Sequence, residues 1–517
     1  MQPRPIRFHF RGRVVQVDGV APTLSVLDWL RTHAAAHGTK EGCAEGDCGA
    51  CTVVLGDLTD DGKLALQTVN ACLQFLPMLD GRALFTVEDL KTIAGGRLHP
   101  VQQALVDHHG SQCGFCTPGF AMSLFGEYEQ HRDGARPTRQ ALADALAGNL
   151  CRCTGYRPIL DAAEQMFDAP AAALDTTPIV AALRELRATD EEVFVYEGPN
   201  PALLVEGRPR IDRFVAPHSL AAFARLRDER PHARLLAGAT DIGLWVNKQF
   251  RDLGEILYIG AVPELQRIEC VSDGLLRIGA GVSLERAWAA LVERAPELRE
   301  VALRFASPPV RHAGTLAGNL ANGSPIGDGA PILMALNARL VLRQGEGAQR
   351  RIALDAFYVD YMKNRLAPGE FIEAIEVPAL PAAMRLRAYK ISKRYDSDIS
   401  AVCAGLALML DAAGVVREAR FAYGGMAAIV KRAALAEQAV LGRVWNEATA
   451  HAAMAALGED FKPLSDMRAR ADHRLRTARN LLLRFWLETR LDAPLAEAQT
   501  RVWAQTPATA AHGEALR

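Results

Sequence analysis

The sequence predicts an α+β protein of several domains, and three observations carry that prediction. Eight of the ten cysteines fall in the first 153 of 517 residues, in two sets of four. The periodicity changes along the chain, from short alternating stretches to helical spacing at Pro100 and then to mixed strands and helices. A chain of this length exceeds what one core can serve and divides into several.

The first cysteine set is Cys43, Cys48, Cys51 and Cys72, with gaps of four, two and twenty residues. Four thiolates are soft ligands, and C-x4-C-x2-C…C is the plant-type spacing for a [2Fe–2S] cluster. Gly42, Gly46 and Gly49 crowd the run. A loop that aims several sulfurs inward must turn where a Cβ would collide. The second set is Cys113, Cys116, Cys151 and Cys153, a C-x-x-C and a distant C-x-C. Its spacing alone leaves zinc open beside iron–sulfur. A disulfide scaffold would need an oxidising compartment, and nothing in the sequence points to export.

Element by element, Ile6–Phe10 alternates and turns at Arg11-Gly12-Arg13 into Val15 and Val17, a β-hairpin. Thr23–His33 is a short helix, and strands follow near Thr52–Leu55 and Leu64–Val69. A small sheet crossed by a helix, with the cysteine loop at one edge, is β-grasp-like. Four helices come next: Val101–His109, Phe120–His131 behind a Thr117-Pro118 start, Thr138–Ala147 ended by Gly148, and one opened by Pro158. Both cysteine pairs thus stand just before helix N-termini, where free N–H groups favour thiolate charge. Asp168–Leu186 is Ala/Pro/Thr-rich and reads as a linker. A helix is expected at Ser219–Asp228, and strands at Ile256–Ile259, Leu275–Ala280, Leu340–Leu342, Val402–Leu410 and Arg417–Gly424. A last helix is expected from Ser465 to Glu488, with Arg468, Arg470, Arg474 and Arg479 as a solvated face or, second, a partner contact. Cys270 and Cys403 read as small core residues. The tail from Asp492 reads as mobile.

Formal net charge is −1, which argues against a nucleic-acid or anionic-membrane partner. The N-terminus has no apolar signal segment, and the apolar stretch 401–416 is broken by Asp411. A soluble, cytoplasmic protein is expected. No G-x-G-x-x-G follows a strand, and Gly279-Ala-Gly281 reads as strand packing, which argues against a Rossmann site. Two small-residue runs instead suit a ligand. Gly238-Ala-Thr-Asp241 opens a helix, and Gly314-Thr-Leu-Ala-Gly-Asn319 is followed by Asn322-Gly-Ser-Pro-Ile-Gly-Asp328.

Together these motifs resemble the iron–sulfur/FAD subunits of the molybdenum hydroxylase family, in its bacterial xanthine dehydrogenase branch. The stretches that carry the resemblance are Glu41–Cys51, Gln112–Gly119, Gly148–Tyr156, Gly238–Asp241, Ala317–Asn319 with Ser324–Asp328, and Pro463–Ala469. The resemblance implies a plant-type [2Fe–2S] ferredoxin domain (1–91), a four-helix [2Fe–2S] domain (92–167), a linker (168–207), a vanillyl-alcohol-oxidase-type FAD domain (208–383), a C-terminal flavoprotein domain (384–491) and a tail (492–517). It implies that all eight cysteines ligate two clusters. The FAD pyrophosphate would lie on Leu235, Leu236, Ala237, Gly238, Ala239, Thr240, Asp241 and Ile242. Further contacts would come from Phe305, Thr315, Leu316, Ala317, Gly318, Asn319, Asp328, Ile372 and Lys390. Tyr361 resembles the aromatic on the nicotinamide side of the flavin, and the loop Lys393–Asp398 resembles one that bears on NAD+ access.

The resemblance also implies a molybdopterin-binding partner subunit that oxidises hypoxanthine and xanthine, NAD+ as acceptor, and a dimer of heterodimers. No catalytic residue is expected on this chain. The competing readings are the same module serving an aldehyde or N-heterocycle hydroxylase, a stand-alone NADH-linked iron–sulfur flavoprotein, and a zinc protein without flavin.

Overall fold

Alternation at the N-terminus builds the first sheet. Ile6, Phe8 and Phe10 of β1 (Ile6–Phe10) are buried, and the hairpin to β2 (Arg13–Val17) turns through Arg11 and Gly12, both at positive φ. In the computed structural model, which describes residues 2–188 and 191–500, β3 (Thr52–Leu58), β4 (Leu64–Asn70) and β5 (Ala83–Phe85) complete the order β2-β1-β5-β3-β4. β1 runs parallel to β5, and the other pairs are antiparallel. Helix α1 (Val26–Thr32) is capped by Ser25, whose side chain accepts from the Asp28 N–H, and it buries Val26, Leu27, Trp29 and Leu30. Trp29 stands edge-on to Phe8 and Phe10, with ring centroids 5.2 and 5.5 Å apart. This is the expected β-grasp arrangement.

After α2 (Val87–Ile93) come the four expected helices, α3 (Pro100–Asp107), α4 (Thr117–His131), α5 (Arg139–Ala145) and α6 (Arg157–Gln165). Their core gathers Phe120, Phe125 and Tyr128 with Leu142, Ile159 and Met166. The next stretch corrects an expectation. Residues 168–207 are not a bare linker, because α7 (Thr177–Arg187) inserts Ile179 and Leu183 into this same core and β6 (Val193–Val205) joins a sheet. Leu186, half-buried against the same core, continues the spacing of Ile179 and Leu183 as a helical stripe. Pro178 lies in the first turn, where it helps a helix start.

The second sheet runs β6-β7-β9-β8, with β7 (Arg208–Pro217), β8 (Arg234–Leu236) and β9 (Ile256–Tyr258). Helix α8 (Leu220–Glu229) precedes β8, and α9 (Ile242–Gln249) follows it. Phe194, Tyr196, Phe214 and Leu236 of this sheet share one core with Phe8, Trp29 and Leu73. The first compact unit therefore runs to Pro263 and takes in Ser307–Gly314, so the expected boundary at 208 does not mark a break in packing.

The second unit holds Glu264–Ala306 and the chain from Thr315. One sheet is ordered β10-β11-β16-β12-β13, from β10 (Ile268–Cys270), β11 (Leu276–Gly279), β12 (Arg339–Gln344), β13 (Ala348–Ala353) and β16 (Phe371–Val377). A small hairpin, β14 (Tyr358–Asp360) with β15 (Lys363–Asn364), stands apart. Every residue of the central β16 is buried, and Glu373 and Glu376 are answered by Arg277, Arg343 and Arg351. A Cβ on Gly279 would lie 2.2 Å from the Leu265 carbonyl oxygen, which bears out strand packing there. The other sheet, β17 (Met384–Ile391), β18 (Val402–Leu410), β19 (Val416–Gly424) and β20 (Lys431–Arg432), packs with helices Glu447–Asp460 and Ala471–Thr489.

That last helix starts at Ala471 rather than Ser465, because the Asp466 carboxylate accepts from the Arg468 and Ala469 N–H groups and holds a turn. Arg474 is not solvated. It is 2 % exposed, donates to the Ala401 and Gly425 carbonyls, and forks onto Asp466. Cys403 is buried as expected, but Cys270 is exposed at an edge strand. The tail expectation lies outside the described residues beyond Thr500. Before that, the Leu495 N–H donates to the Leu487 carbonyl. Among the described residues no helix is long and apolar enough to cross a membrane.

His99 yields a test of the helical core. It caps α3, donates from Nε2 to the Ala172 carbonyl, and lies edge-on to Phe125 and Tyr128. Burial pulls its pKa down to about 4. The unfolded chain takes up that proton near pH 6.5, so it binds more protons than the folded chain below that pH, and stability falls as the pH falls. The expected loss from this group is about 2 kcal/mol between about pH 7.5 and about pH 5. Urea midpoints at the two pH values, compared between the wild type and His99→Gln, should show the smaller drop in the variant. Equal drops would disprove the assignment.

Candidate iron–sulfur and flavin sites

The first cysteine set lies on the loop from α1 to β3 and on the turn after β4. The thiol of Cys43 adjoins those of Cys48 and Cys72, and Cys72 also adjoins Cys51, so the four are joined by pairwise contacts. Two backbone N–H groups, of Glu45 and Cys48, donate to Cys43 Sγ at 3.4 Å each. Hydrogen bonds from Cys48 and Cys72 pull the Cys43 thiol down, while the same contacts, with burial, push Cys48 and Cys72 up. Four neighbouring thiols cannot all ionise unaided, and a cation bound among them removes that conflict. The glycines fit a wrapped loop. A Cβ on Gly42 would lie 2.7 Å from Cys48 Sγ, and Gly46 and Gly49 have φ near 78° and 69°.

The second set sits where helices begin. Cys116 is the N-cap residue of α4, and Cys151 and Cys153 precede α6. Cys153 Sγ and Cys113 Sγ are 3.6 Å apart, and Cys116 adjoins Cys151. Burial, then Cys151, push the Cys116 thiol up to about 12. The Thr154 hydroxyl donates to Cys151 Sγ at 3.3 Å, and the Cys151 N–H donates to Tyr156 Oη at 3.0 Å. Cys113 and Cys153 are exposed.

The two cysteine loops meet backbone to backbone. The Leu150 N–H donates to the Cys48 carbonyl at 3.0 Å, linking a residue beside Cys151 to a residue of the first set. Asn149 completes the joint. It accepts from Ser123 Oγ at 2.7 Å and donates to the Gly49 carbonyl and Thr52 Oγ1 at 3.2 and 3.3 Å. The motif around Gly148–Tyr156 contained both residues, but their role was not legible because the partner lies about a hundred positions upstream.

The flavin stretches occur in both units, and each is built differently. In the first, Leu235 and Leu236 end β8, and the chain passes through Ala237–Asp241 into α9, where Ile242 opens the helix. Ala239 is buried at φ 62°. A Cβ on Gly238 would lie 1.8 Å from the Ala313 carbonyl oxygen, and the Gly238 carbonyl accepts from Gln74 Nε2 at 3.1 Å. Sequence reasoning named neither Gln74 nor Asn247, whose amide donates to the Ala44 and Cys72 carbonyls.

In the second unit, Thr315 caps the helix Leu316–Asn322 by accepting from the Gly318 N–H, and Ala317 is buried on it. Asn319 Oδ1 and Asp328 Oδ1 are buried with no hydrogen-bond partner. Asp328 Oδ2 is 2.6 Å from Lys390 Nζ, which also donates to Ser400 Oγ at 2.9 Å. Lys390 is thus a buried ion-pair partner. Phe305 and Ile372 are buried, and Tyr361 is exposed on the β14–β15 hairpin. The loop Lys393–Asp398 is held by Arg304, which donates to the Tyr395 carbonyl and Ser392 Oγ and lies over the Tyr395 ring. A buried acceptor without a partner costs about 1–3 kcal/mol, so the two orphaned oxygens fit a ligand that brings donors.

Comparison with known proteins follows the same division. Residues 8–76 match the 2Fe-2S iron-sulfur cluster binding domain, 86–164 the [2Fe-2S] binding domain, 209–380 the FAD binding domain in molybdopterin dehydrogenase, and 387–489 the CO dehydrogenase flavoprotein C-terminal domain. A xanthine dehydrogenase of Emericella nidulans is 33% identical over 504 residues, which cover 88% of this chain and 36% of that protein. A xanthine dehydrogenase/oxidase of Gallus gallus is 30% identical over 506 residues, with 85% and 36% covered. The chain therefore spans little more than a third of the length of these relatives. Among solved structures, a carbon monoxide dehydrogenase from Hydrogenophaga pseudoflava is similar at 28% identity and a TM-score of 0.50, over 53% of this chain and 96% of that one. With four consecutive domain matches falling on the two cysteine sets, the flavin stretches and the C-terminal sheet, the chain belongs to the molybdenum hydroxylase family, as an electron-transfer module of two [2Fe–2S] domains and an FAD-binding domain.

Proposed function

We propose that this chain is the electron-transfer subunit of a cytoplasmic xanthine dehydrogenase, partnered by a molybdopterin-binding chain and delivering electrons to NAD+. The observation that carries the reading is the Leu150 N–H bond to the Cys48 carbonyl, which joins the two cysteine loops. When bound, the clusters would pass single electrons and the flavin would gather two for NAD+. The residues of this chain would hold, space and shield those groups. Cys43, Cys48, Cys51 and Cys72 would hold one cluster, and Cys113, Cys116, Cys151 and Cys153 the other. Gly49 and Asn149 keep the loops at a fixed separation. The exposed Cys113 and Cys153 suit the side that faces the molybdopterin chain.

For the flavin, we assign Leu235–Ile242, Phe305, Thr315–Asn319, Asp328, Ile372 and Lys390. Asn319 and Asp328 supply acceptors, and Lys390 fixes the carboxylate. Tyr361, exposed on its hairpin, is assigned to the nicotinamide side, and a dimer of heterodimers to the assembly. The xanthine substrate is favoured because the two xanthine dehydrogenase relatives described above match 88% and 85% of this chain. The similar carbon monoxide dehydrogenase structure covers about half of it, which makes a hydroxylase for another small substrate the second reading.

Two measurements test this reading. The chain prepared anaerobically should contain about two [2Fe–2S] clusters and about one FAD, and Cys43→Ser and Cys151→Ser should each remove about one cluster. It should reduce dyes with NADH yet turn over no xanthine until the partner is added; xanthine turnover by the isolated chain would sink the assignment.

The joint between the loops gives a third test. In Gly49→Ala the new Cβ would overlap the Gly148 carbonyl at 2.2 Å, at a backbone φ of 69° that already disfavours alanine. The expected destabilisation is about 2–4 kcal/mol, read as a lowered urea midpoint with weakened magnetic coupling between the clusters. An unchanged midpoint would contradict the close approach.

A further inference from the structure

Asn247 lies on α9, outside every cysteine motif, yet its amide touches both ends of the first set. Nδ2 donates to the Ala44 carbonyl at 3.1 Å and to the Cys72 carbonyl at 2.7 Å. Both partners are carbonyl oxygens, so only the NH2 end of the amide can face them, and both of its hydrogens are used. Ala44 follows Cys43, and Cys72 is itself a member of the set. One side chain thus ties together two cysteine-bearing segments that lie 28 positions apart in the chain. Ala44 adopts φ 54°, a left-handed conformation unusual for a residue with a Cβ.

The helix that carries Asn247 is pressed onto the same segment. A Cβ on Gly243 would lie 3.0 Å from the Leu73 carbonyl oxygen. The buried Gln74 donates from Nε2 to the Gly238 carbonyl. Residues 72–74 are therefore gripped at three consecutive positions by the turn and helix that follow β8. A lysine at 247 would bring a charge, and a leucine would leave two carbonyls without donors. The Asn247 amide supplies two donors at this reach without a charge.

We infer that Asn247 is a positioning residue for the first iron–sulfur cluster, clamping the Cys43 and Cys72 segments around it and coupling that cluster's retention to the packing of α9. The inference rests on the reading that Cys43, Cys48, Cys51 and Cys72 hold a cluster. It goes beyond that reading by assigning cluster retention to a residue of the flavin domain.

The test uses the full chain with both clusters loaded. In Asn247→Asp a carboxylate would face two carbonyls, and in Asn247→Leu both donors vanish without a charge. Each variant is followed by electron paramagnetic resonance of the two reduced clusters and by the rate of iron release to a chelator. We expect one cluster signal to shift or broaden while the other stays unchanged, with release of one cluster roughly tenfold faster. Asn247→Gln, which keeps the amide, should recover part of the loss. Folding is checked by the intact signal of the second cluster. If both variants keep the wild-type signals and release rates, the clamp is overturned. If the wild-type chain shows no cluster at the first set, the underlying reading has failed instead, and the two failures are told apart by the wild-type spectrum. Loss of both clusters in Asn247→Asp and neither in Asn247→Leu would also overturn the clamp, since repulsion and not lost donation would then be the cause.

Discussion

Close approach of two backbones governs the N-terminal half of this protein. Gly49 has no room for a side chain, because the Gly148 carbonyl oxygen lies 2.2 Å from where its Cβ would be. Gly119 is under the same restriction from the other side, 2.1 Å from the Gly49 carbonyl oxygen. Three glycines from the ferredoxin-like sheet, the start of α4 and the end of the third bundle helix thus interlock. Once they do, the Leu150 N–H reaches the Cys48 carbonyl, and Asn149 finds three polar partners. The bond forms at an ordinary 3.0 Å because small residues permit the approach, and the cysteines on either side inherit a fixed separation. Electron transfer between two centres depends on separation more than on any single side chain. A joint made of backbone holds it better than one made of rotamers.

The polar groups at this joint are buried and satisfied. Asn149 is 3 % exposed, and its amide nitrogen and oxygen both have partners. Buried amides of this kind stabilise only when every donor and acceptor is used. The flavin stretch of the second unit differs in kind. Asn319 Oδ1 and Asp328 Oδ1 are buried without partners, while Lys390 neutralises the carboxylate from behind. One site is closed on itself and the other is left chemically incomplete. That contrast separates a scaffold from a receptor.

Much of this was legible in the sequence. The cysteine spacing picked out two sets whose members the fold brings together, the hairpin alternation set β1 and β2, and Pro118 and Pro158 marked helix starts. What escaped notice depended on long-range packing or on composition. The helix Thr177–Arg187 looked like a linker because the Ala/Pro/Thr-rich composition around it hid the stripe of Ile179, Leu183 and Leu186, yet that stripe has a finished core to enter. Arg474 looked like one of several solvated arginines. Only the fold brings two carbonyls and Asp466 to its guanidinium. Cys270 looked like a core residue because its neighbours are apolar by type, whereas its position on an edge strand exposes it. Asn149, Gln74 and Asn247 were ordinary amides until their distant partners arrived.

Gly238 shows how a motif glycine can have a second cause. As the first residue of Gly238-Ala-Thr-Asp241, it suits a turn that lets a phosphate approach backbone N–H groups. Its missing Cβ is also demanded by packing, because the Ala313 carbonyl oxygen would lie 1.8 Å away. No side chain fits there whether or not a ligand binds. The identity of this glycine therefore cannot carry the flavin assignment, and neither can the turn it opens. Ala239, at positive φ with a Cβ, says more, since a residue there accepts an unfavourable conformation. The unpaired oxygens of Asn319 and Asp328 say most, because an unsatisfied buried acceptor disfavours the folded chain and has no use within it. The ligand is thus best argued from atoms the protein leaves without partners, and the glycines from atoms it brings too close.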